Sequence, residues 1–183
     1  MLIVLTGKTA SGKDTILAKL SQKYPDLHNI VTTTSRKIRE GEHDDLDYHF
    51  ISREEFKKRV DRGDFVEFVE YGNNLYGTEK KELEATLNHN AIWKIDPSMA
   101  GKVREVIKDK KVLVIYITTS EEVILQRLQE RNLTEDEIES RMADDEAFFQ
   151  EFKDKYDYII ENVPGKLDET VDKIVKILES RAS

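Results

Sequence analysis

Residues 7–15 read Gly7-Lys8-Thr9-Ala10-Ser11-Gly12-Lys13-Asp14-Thr15, directly after the apolar run Leu2-Ile3-Val4-Leu5 and before a segment with helical spacing of its apolar residues. Strand, glycine loop and helix in this order are typical of a phosphate-binding loop, whose N–H groups point at an anion. Lys13 is placed to reach the β- and γ-phosphates of a nucleotide. The alternative is an ordinary strand-to-helix turn, which would also tolerate these glycines. The helical pattern directly after the loop favours nucleotide binding by residues 7–15.

Two residues of this loop depart from its usual form. Asp14 occupies the position at which Ser or Thr normally contacts the metal, and the hydroxyl of Thr15 comes one residue later. We therefore expect Mg²⁺ to contact Thr15 and to be held mainly by nucleotide phosphates and water, because this ion gives up its hydration shell reluctantly.

Length and composition limit the classes of protein to consider. The 183 residues suffice for one domain, and the chain has no cysteine and a formal net charge of −8. The acidic balance argues against non-specific nucleic-acid binding. The chain starts on an apolar strand without a charged leader, and its apolar runs are too short to span a bilayer. We expect a cytoplasmic protein, as a monomer or homodimer, without nucleic-acid or membrane partners.

Short apolar segments alternate with longer helical patterns along the chain. The predicted strands are Leu2–Leu5, Ile30–Val31, Ala91–Ile95, Val112–Ile117 and Tyr158–Ile160. The alternation predicts a three-layer α/β fold with a parallel sheet. Three S/T-x-x-E patterns predict capping boxes at helix starts, namely Ser52 with Glu55, Thr119 with Glu122, and Thr134 with Glu137. Residues 32–81 break the rhythm and are predicted to form an insertion at the carboxyl edge of the sheet, where ligands bind.

The insertion carries a second pattern. It comprises Thr32-Thr33-Thr34-Ser35-Arg36-Lys37-Ile38-Arg39-Glu40-Gly41-Glu42, then Asp47-Tyr48-His49-Phe50, Phe65-Val66-Glu67 and Gly72-Asn73-Asn74-Leu75-Tyr76-Gly77-Thr78. In this order and with the glycine loop, it resembles the guanylate kinase family. The resemblance implies a P-loop kinase fold with a core of residues 1–31, 82–126 and 148–183, a GMP-binding insertion of residues 32–81 and a small helical lid of residues 127–147.

The residue types of the insertion suit a nucleoside monophosphate independently. Arg36 and Arg39 can bind a phosphomonoester dianion through guanidinium forks, with help from the hydroxyls of Tyr48 and Tyr76. Glu42 fits equally well as a GMP contact or as a group that only orients an arginine. Solvated surface charges and core tyrosines are the alternative interpretation of this set.

Recognition of the base is predicted at three further positions. Guanine presents two adjacent donors, N1–H and N2–H₂, which one carboxylate, Glu67, can accept, while the hydroxyls of Thr32 and Thr78 can donate to O6. Adenine would leave Glu67 without partners, so the site should reject it. The resemblance also assigns Asp96 to the GMP site.

The segment from Arg127 to Arg141 resembles the arginine-bearing lid of nucleoside-monophosphate kinases. The resemblance implies that Arg131 and Arg141 act in catalysis with Lys13 and Arg39, because phosphoryl transfer depends mainly on positioning and charge neutralisation. Arg127 is assigned to ATP. Helix-surface arginines paired with nearby acids are the alternative.

Two later positions complete the comparison with the family. Asn162 resembles the residue beside the ATP adenine. Lys94 stands where many guanylate kinases carry an acid, and its ammonium could contact the acceptor phosphate or pair with Asp14 or Asp96.

The sequence thus predicts an ATP-dependent kinase that phosphorylates GMP, and dGMP as well, with Mg²⁺ accompanying ATP. One alternative is a kinase resembling ribose 1,5-bisphosphate phosphokinase, suggested by Gly12-Lys13-Asp14. The other is a non-catalytic guanylate-kinase-like module that binds proteins.

Overall fold

Five parallel strands form the central sheet of the computed structural model, which describes residues 1–86, 88–108 and 110–182. The strand order is β2-β7-β1-β8-β9, and every neighbouring pair runs parallel. The ranges are β1 Leu2–Gly7, β2 His28–Ile30, β7 Ala91–Lys94, β8 Val112–Thr118 and β9 Tyr158–Glu161. All five predicted strands are present with shifts of one or two residues at their ends, which confirms the parallel α/β prediction.

Helices cover both faces of this sheet. Helix α1 (Lys13–Lys23) packs with α7 (Leu167–Ala182) on one face, and α4 (Pro97–Val106) packs with α6 (Glu135–Phe152) on the other. Alternate residues of β1 serve the two cores: Ile3 and Leu5 face α1, whereas Leu2 and Val4 belong to the core under α4. Because both faces are covered, every residue of β1 is buried. The molecule therefore has the expected three layers.

The insertion forms a second, smaller sheet, which the sequence did not predict. Its strand order is β4-β3-β6-β5. The elements are β3 Thr33–Thr34, β4 His49–Phe50, α2 Arg53–Asp61, β5 Phe65–Tyr71 and β6 Asn74–Glu79, and α3 (Lys80–Thr86) leads back to the central sheet. Phe56, Phe65 and Leu75 form a separate apolar cluster in this sheet. That cluster gives the insertion its own core.

The predicted lid is continuous with the central part of the molecule. Helix α5 (Glu121–Glu130) is followed by α6, which runs on past residue 147 to Phe152 without interruption. The division into core, insertion and lid stays a prediction, and its boundary at residue 147 falls within one helix. Among the described residues, no helix has both the length and the apolar character needed to cross a bilayer.

Of the three predicted capping boxes, one is complete. Thr134 and Glu137 bond each other's backbone N–H groups at the start of α6. Ser52 accepts from the N–H of Glu55 without the reciprocal bond, because the Glu55 carboxylate binds Arg59.

The prediction for Thr119 with Glu122 is wrong. Helix α5 is preceded by Ser120 as its N-cap, whose side chain makes no capping hydrogen bond. The hydroxyl of Thr119 instead donates to the carbonyl of Asn162 at 2.9 Å. Thr119 is buried at the end of β8, and that carbonyl offers its hydroxyl a partner in place of the helix terminus.

Gly101 allows α4 and α6 to approach each other, and Gly101→Ala should destabilise the protein. An added Cβ would lie 2.2 Å from Cδ1 of Phe152. We expect a loss of about 1–3 kcal/mol in the free energy of unfolding from this overpacking, measured by urea denaturation. Glu105→Ala, on the exposed side of the same helix, is the control and should change stability by less than about 0.5 kcal/mol.

Candidate active site

A cavity of about 430 Å³ lies at the carboxyl ends of β1 and β7, between the glycine loop, the inserted sheet and the arginines of α5 and α6. Most of the predicted site residues line it. These are Gly7, Thr9, Ala10, Ser11, Gly12, Lys13, Asp14, Thr15, Thr32, Arg36, Arg39, Tyr48, Glu67, Tyr76, Asp96, Arg127, Arg131, Arg141 and Asn162. Three predicted residues, Lys8, Glu42 and Thr78, lie outside its lining.

The carbonyl groups of the glycine loop are bound by side chains. The ammonium of Lys13 donates to the carbonyls of Gly7 and Lys8 at 2.8 and 2.7 Å. Arg127 donates to Ala10 O at 2.7 Å, and Asn162 Nδ2 donates to Ser11 O at 2.8 Å. Both residues were predicted as ATP contacts, and the structure gives them a role in holding the loop that the sequence did not indicate.

Gly12 is required by this arrangement. Its φ of 92° is left-handed, and an added Cβ would lie 2.5 Å from Nδ2 of Asn162. Any larger residue would therefore strain the backbone and displace the amide that holds the loop.

Desolvation lowers the pKa of Lys13 to about 8, although the carboxylates of Asp145 and Asp14 oppose this shift. A bound anion would restore favourable surroundings for the charged form of Lys13.

Asp145 is a functional candidate that the sequence reasoning missed. It lies on α6 with 4 % exposure, and its carboxylate accepts the N–H of Thr9 in the glycine loop at 2.6 Å. Desolvation raises its pKa to about 6, against the opposing charge of Lys13. The sequence does contain one indication of this role: Asp145 follows Arg141 by four residues, which places both side chains on one helix face.

The arginines of the insertion are organised by Glu42. Its carboxylate binds the guanidinium of Arg36 through two hydrogen bonds of 2.8 and 2.9 Å and also accepts the N–H of Arg39 at 2.8 Å. Desolvation opposes ionisation of Glu42, but these bonds hold its pKa below the usual range. Glu42 therefore orients the guanidinium of Arg36 and the backbone of Arg39 from outside the cavity lining.

Two tyrosine rings complete this wall of the cavity. The guanidinium of Arg36 lies 5.4 Å from the ring centroid of Tyr48, and the rings of Tyr48 and Tyr76 are 6.2 Å apart. The wall therefore combines a fixed guanidinium with aromatic rings that limit its movement.

Glu67 is held by a chain of hydrogen bonds from the central sheet. The indole N–H of Trp93 donates to Thr78 Oγ1 at 2.9 Å, and the Thr78 hydroxyl donates to Glu67 Oε1 at 2.8 Å. A hydroxyl has one proton, so Thr78 positions Glu67 here and is not free to donate to O6 of guanine as predicted. Thr32 is buried at the cavity wall and remains the candidate for that contact.

Two acids, Glu67 and Asp96, line the same cavity. Desolvation, with a smaller contribution from Asp96, raises the pKa of Glu67 to about 7. Asp96 also caps α4, because its Oδ1 accepts the N–H groups of Ser98 and Met99. The sequence analysis assigned Asp96 to the GMP site and did not predict that it caps α4.

The two lid arginines differ in their surroundings. Arg141 is buried with its guanidinium 5.2 Å from the ring centroid of Tyr71 and close to Gly72, at the turn between β5 and β6. Desolvation, followed by the like charges of Arg39 and Arg141, lowers the pKa of Arg131. Arginines of the insertion and of the predicted lid thus line the same cavity.

The two departures from the family pattern are in contact with each other. Lys94 forms an ion pair with Asp14, and its ammonium lies 4.0 Å from the ring centroid of Tyr48. Desolvation opposes ionisation of Asp14, but Lys94 lowers its pKa to about 2. Of the alternatives for Lys94, the structure shows the pair with Asp14.

A metal ion would find oxygen ligands at the loop. Asp14 and Thr15 both line the cavity and are exposed there, and carboxylate and hydroxyl oxygens suit a hard ion such as Mg²⁺. Within residues 1–86, 88–108 and 110–182, no group of three or more His, Asp or Glu side chains is arranged to hold a metal. The residues therefore fit an ion that shares its coordination with phosphates and water.

A glycine loop at the end of a parallel strand, facing an arginine-lined cavity, defines the P-loop kinases. Within this class, the family model described as "Guanylate kinase" matches residues 1–181. The chain therefore belongs to the guanylate kinase family.

Individual relatives agree with this assignment. Guanylate kinase of Clostridium perfringens is 36 % identical over 182 residues, covering 97 % of this chain and 82 % of the relative. That of a Wolbachia species is 32 % identical, with coverages of 98 % and 92 %. The crystal structure of guanylate kinase from Anaplasma phagocytophilum is similar with a TM-score of 0.72 at 27 % identity, covering 99 % of this chain and 85 % of that one.

Asp145→Asn should stabilise the ligand-free protein in a pH-dependent manner. The folded pKa of about 6 exceeds the usual value of 3.8, so the folded state loses stability as pH rises from about 4 through 6. An amide keeps the acceptor for Thr9 without the charge. The advantage of the variant in free energy of unfolding should grow by about 1–2 kcal/mol between pH 5 and pH 7.5, measured by urea denaturation.

Asp144→Asn is the matched control, because this neighbouring carboxylate is exposed. It should show no comparable dependence on pH. An Asp145→Asn variant whose stability follows that of the wild type across this range would contradict the role of the buried charge.

Proposed function

We propose that this protein transfers the γ-phosphoryl group of ATP to GMP, with dGMP as a second acceptor, and releases GDP and ADP. The observation that carries the proposal is a single cavity lined by both the phosphate-binding loop and Glu67, a carboxylate complementary to guanine. The proposal further places the protein in the cytoplasm, as a monomer or homodimer whose partners are these small molecules.

Residues 7–15 bind the phosphates of ATP in this proposal. The loop N–H groups face the anion, and the ammonium of Lys13 moves from the loop carbonyls to the β- and γ-phosphates. Arg127 and Asn162 keep the loop in shape. Thr15 and Asp14 supply oxygen atoms near a bound Mg²⁺, which neutralises charge on the transferring group when present.

Arg36 and Arg39 bind the phosphate of GMP, with Tyr48 and Tyr76 as hydroxyl donors. Glu42 fixes the arginine fork before GMP arrives, so little side-chain entropy is lost on binding. This preorganisation favours a dianionic phosphomonoester over a neutral nucleoside.

Glu67 accepts the N1–H and N2–H₂ groups of guanine as a carboxylate. Thr78 donates to one of its oxygens and fixes its orientation, Thr32 faces O6, and Asp96 lies beside it. Adenine would place its unprotonated N1 against the carboxylate, which removes the attraction and leaves a buried charge unpaired.

In the transfer step, an ionised oxygen of GMP attacks the γ-phosphorus and the bond to the β,γ-bridging oxygen breaks. The electron pair remains on ADP, and no general base is needed because the attacking oxygen carries no proton. Arg131 and Arg141 stabilise the charge that spreads over the transferring group, together with Lys13 and Arg39.

Two other functions are compatible with a glycine loop, but neither is favoured. A ribose 1,5-bisphosphate kinase would have no use for a guanine-complementary Glu67. A non-catalytic protein-binding module would not require a loop in which side chains hold the carbonyls of Gly7, Lys8, Ala10 and Ser11.

Glu67→Gln tests the assignment of the base. A guanine N–H would then face the amide N–H of the variant, so kcat/KM for GMP should fall by about 2–4 kcal/mol in transition-state stabilisation, with ATP binding nearly unchanged. The measurement is a steady-state assay of ADP release with GMP and AMP as acceptors. Glu70→Gln, on the exposed side of the same strand, should retain wild-type kinetics.

The pH profile provides a second readout of the same variant. Glu67 must be ionised to accept both donors, and its pKa in the free protein is about 7. The KM for GMP should therefore rise as pH falls from 8 to 6, and Glu67→Gln should lose this component of the profile. Unchanged GMP kinetics and an unchanged profile would remove Glu67 from the site.

Lys13→Ala tests the donor side. The variant keeps the fold but loses the charge that follows the phosphoryl group, so kcat should fall at least about a hundredfold. Single-turnover kinetics at saturating ATP and GMP isolate this step. Lys57→Ala, on the exposed side of α2, is the control, and normal turnover by Lys13→Ala would indicate a loop with a purely structural role.

A further inference from the structure

Lys94 is a buried cation that the proposed mechanism has not used. It is the last residue of β7, its side chain is 7 % exposed, and it lines the cavity together with Lys13 and Arg36. A buried ammonium is costly unless anions or oriented dipoles surround it. Its surroundings should therefore show which anions it is placed to bind.

One anionic partner is present already. Asp14 pairs with Lys94 from the glycine loop, and its own side chain is 54 % exposed. The same carboxylate is also influenced by the charges of Lys13 and Arg131. Asp14 thus interacts with several cations at once. The ammonium of Lys94 has three N–H groups, so after binding Asp14 it can still donate to a further acceptor.

The other side of Lys94 faces the arginine wall. Its ammonium lies 4.0 Å from the ring centroid of Tyr48, and the guanidinium of Arg36 lies 5.4 Å from the same centroid. Two cations therefore lie near one tyrosine ring, and the one without a bidentate carboxylate partner is Lys94. An anion bound beside Arg36 and Tyr48 lies within reach of the flexible four-carbon stem of this lysine.

We propose that Lys94 is an additional catalytic residue that binds the acceptor phosphate, and that Asp14 is a positioning residue that holds its ammonium in the cleft until the acceptor arrives. This inference rests on the proposed function, because it takes the ligand beside Arg36 to be a nucleoside monophosphate.

The arrangement solves an electrostatic problem of the reaction. Two anions, the acceptor phosphate and the γ-phosphate, must approach each other, and a cation between the glycine loop and the arginine wall reduces their repulsion. Lys94 then redirects N–H bonds from Asp14 to the phosphate. Asp14 competes with the phosphate for the same ammonium, so the two members of the ion pair should have different effects on binding.

The test is calorimetric titration of GMP and of guanosine into the full-length protein, without ATP or metal. Guanosine lacks the phosphate, so the ratio of the two affinities reports the phosphate contacts alone. Lys94→Met should reduce this ratio at least tenfold and leave guanosine binding unchanged. Lys80→Met, an exposed lysine on α3, is the matched control and should leave the ratio unchanged.

Asp14→Asn separates a phosphate ligand from a purely structural ion pair. With the competing charge removed, GMP affinity should rise or stay within twofold of wild type. An unchanged ratio in Lys94→Met, or a loss in Asp14→Asn that equals the loss in Lys94→Met, would overturn the proposal.

The double variant Asp14→Asn with Lys94→Met keeps the test decisive if Lys94→Met alone fails to fold, because it leaves no unpaired charge. Relative to Asp14→Asn, it should show the same tenfold loss for GMP, and no loss would overturn the proposal. A wild-type protein that binds GMP no better than guanosine or AMP would instead reject the proposed function itself.

Discussion

The structure depends on how the carbonyl groups of the glycine loop are satisfied. A loop that turns its N–H groups towards an anion must turn carbonyls elsewhere, and buried carbonyls need donors. Lys13, Arg127 and Asn162 supply these donors from the loop itself, from α5 and from the end of β9. Elements far apart in sequence thereby fix one phosphate site, and the parallel sheet brings their ends to the same edge.

The resulting cavity concentrates charge that the ligand-free protein tolerates at a cost. The pKa of Lys13 is lowered, while those of Glu67 and Asp145 are raised by burial. Each shift marks a group whose charged form is poorly solvated by the protein around it. Substrates carrying phosphates and guanine donors supply the missing partners, so binding and stability are linked: nucleotides should raise the melting temperature of the protein.

The sequence predicted the strand–loop–helix unit and the parallel sheet, because apolar runs and glycine spacing are local signals. The resemblance to the guanylate kinase family also placed Glu67 and Arg36 in one region. The hydrogen-bond chain that holds Glu67 was not predictable, since Trp93 donates to Thr78 from a different sheet and Thr78 donates to Glu67. Thr119 was misassigned because a capping pattern cannot reveal the competing carbonyl of Asn162, just after β9. Which of its possible partners Lys94 pairs with became clear only in the structure.

Helix α6 is one continuous helix that runs from the cavity to the core. Its end at Phe152 is wedged against Gly101, whereas Arg141 and Asp145 touch the inserted sheet and the glycine loop. Arg141 lies eleven residues before Phe152, or about 16 Å along the helix axis. Because α6 is one continuous helix, the packing of Phe152 against Gly101 also determines where Arg141 lies at the inserted sheet and where Asp145 lies at the glycine loop.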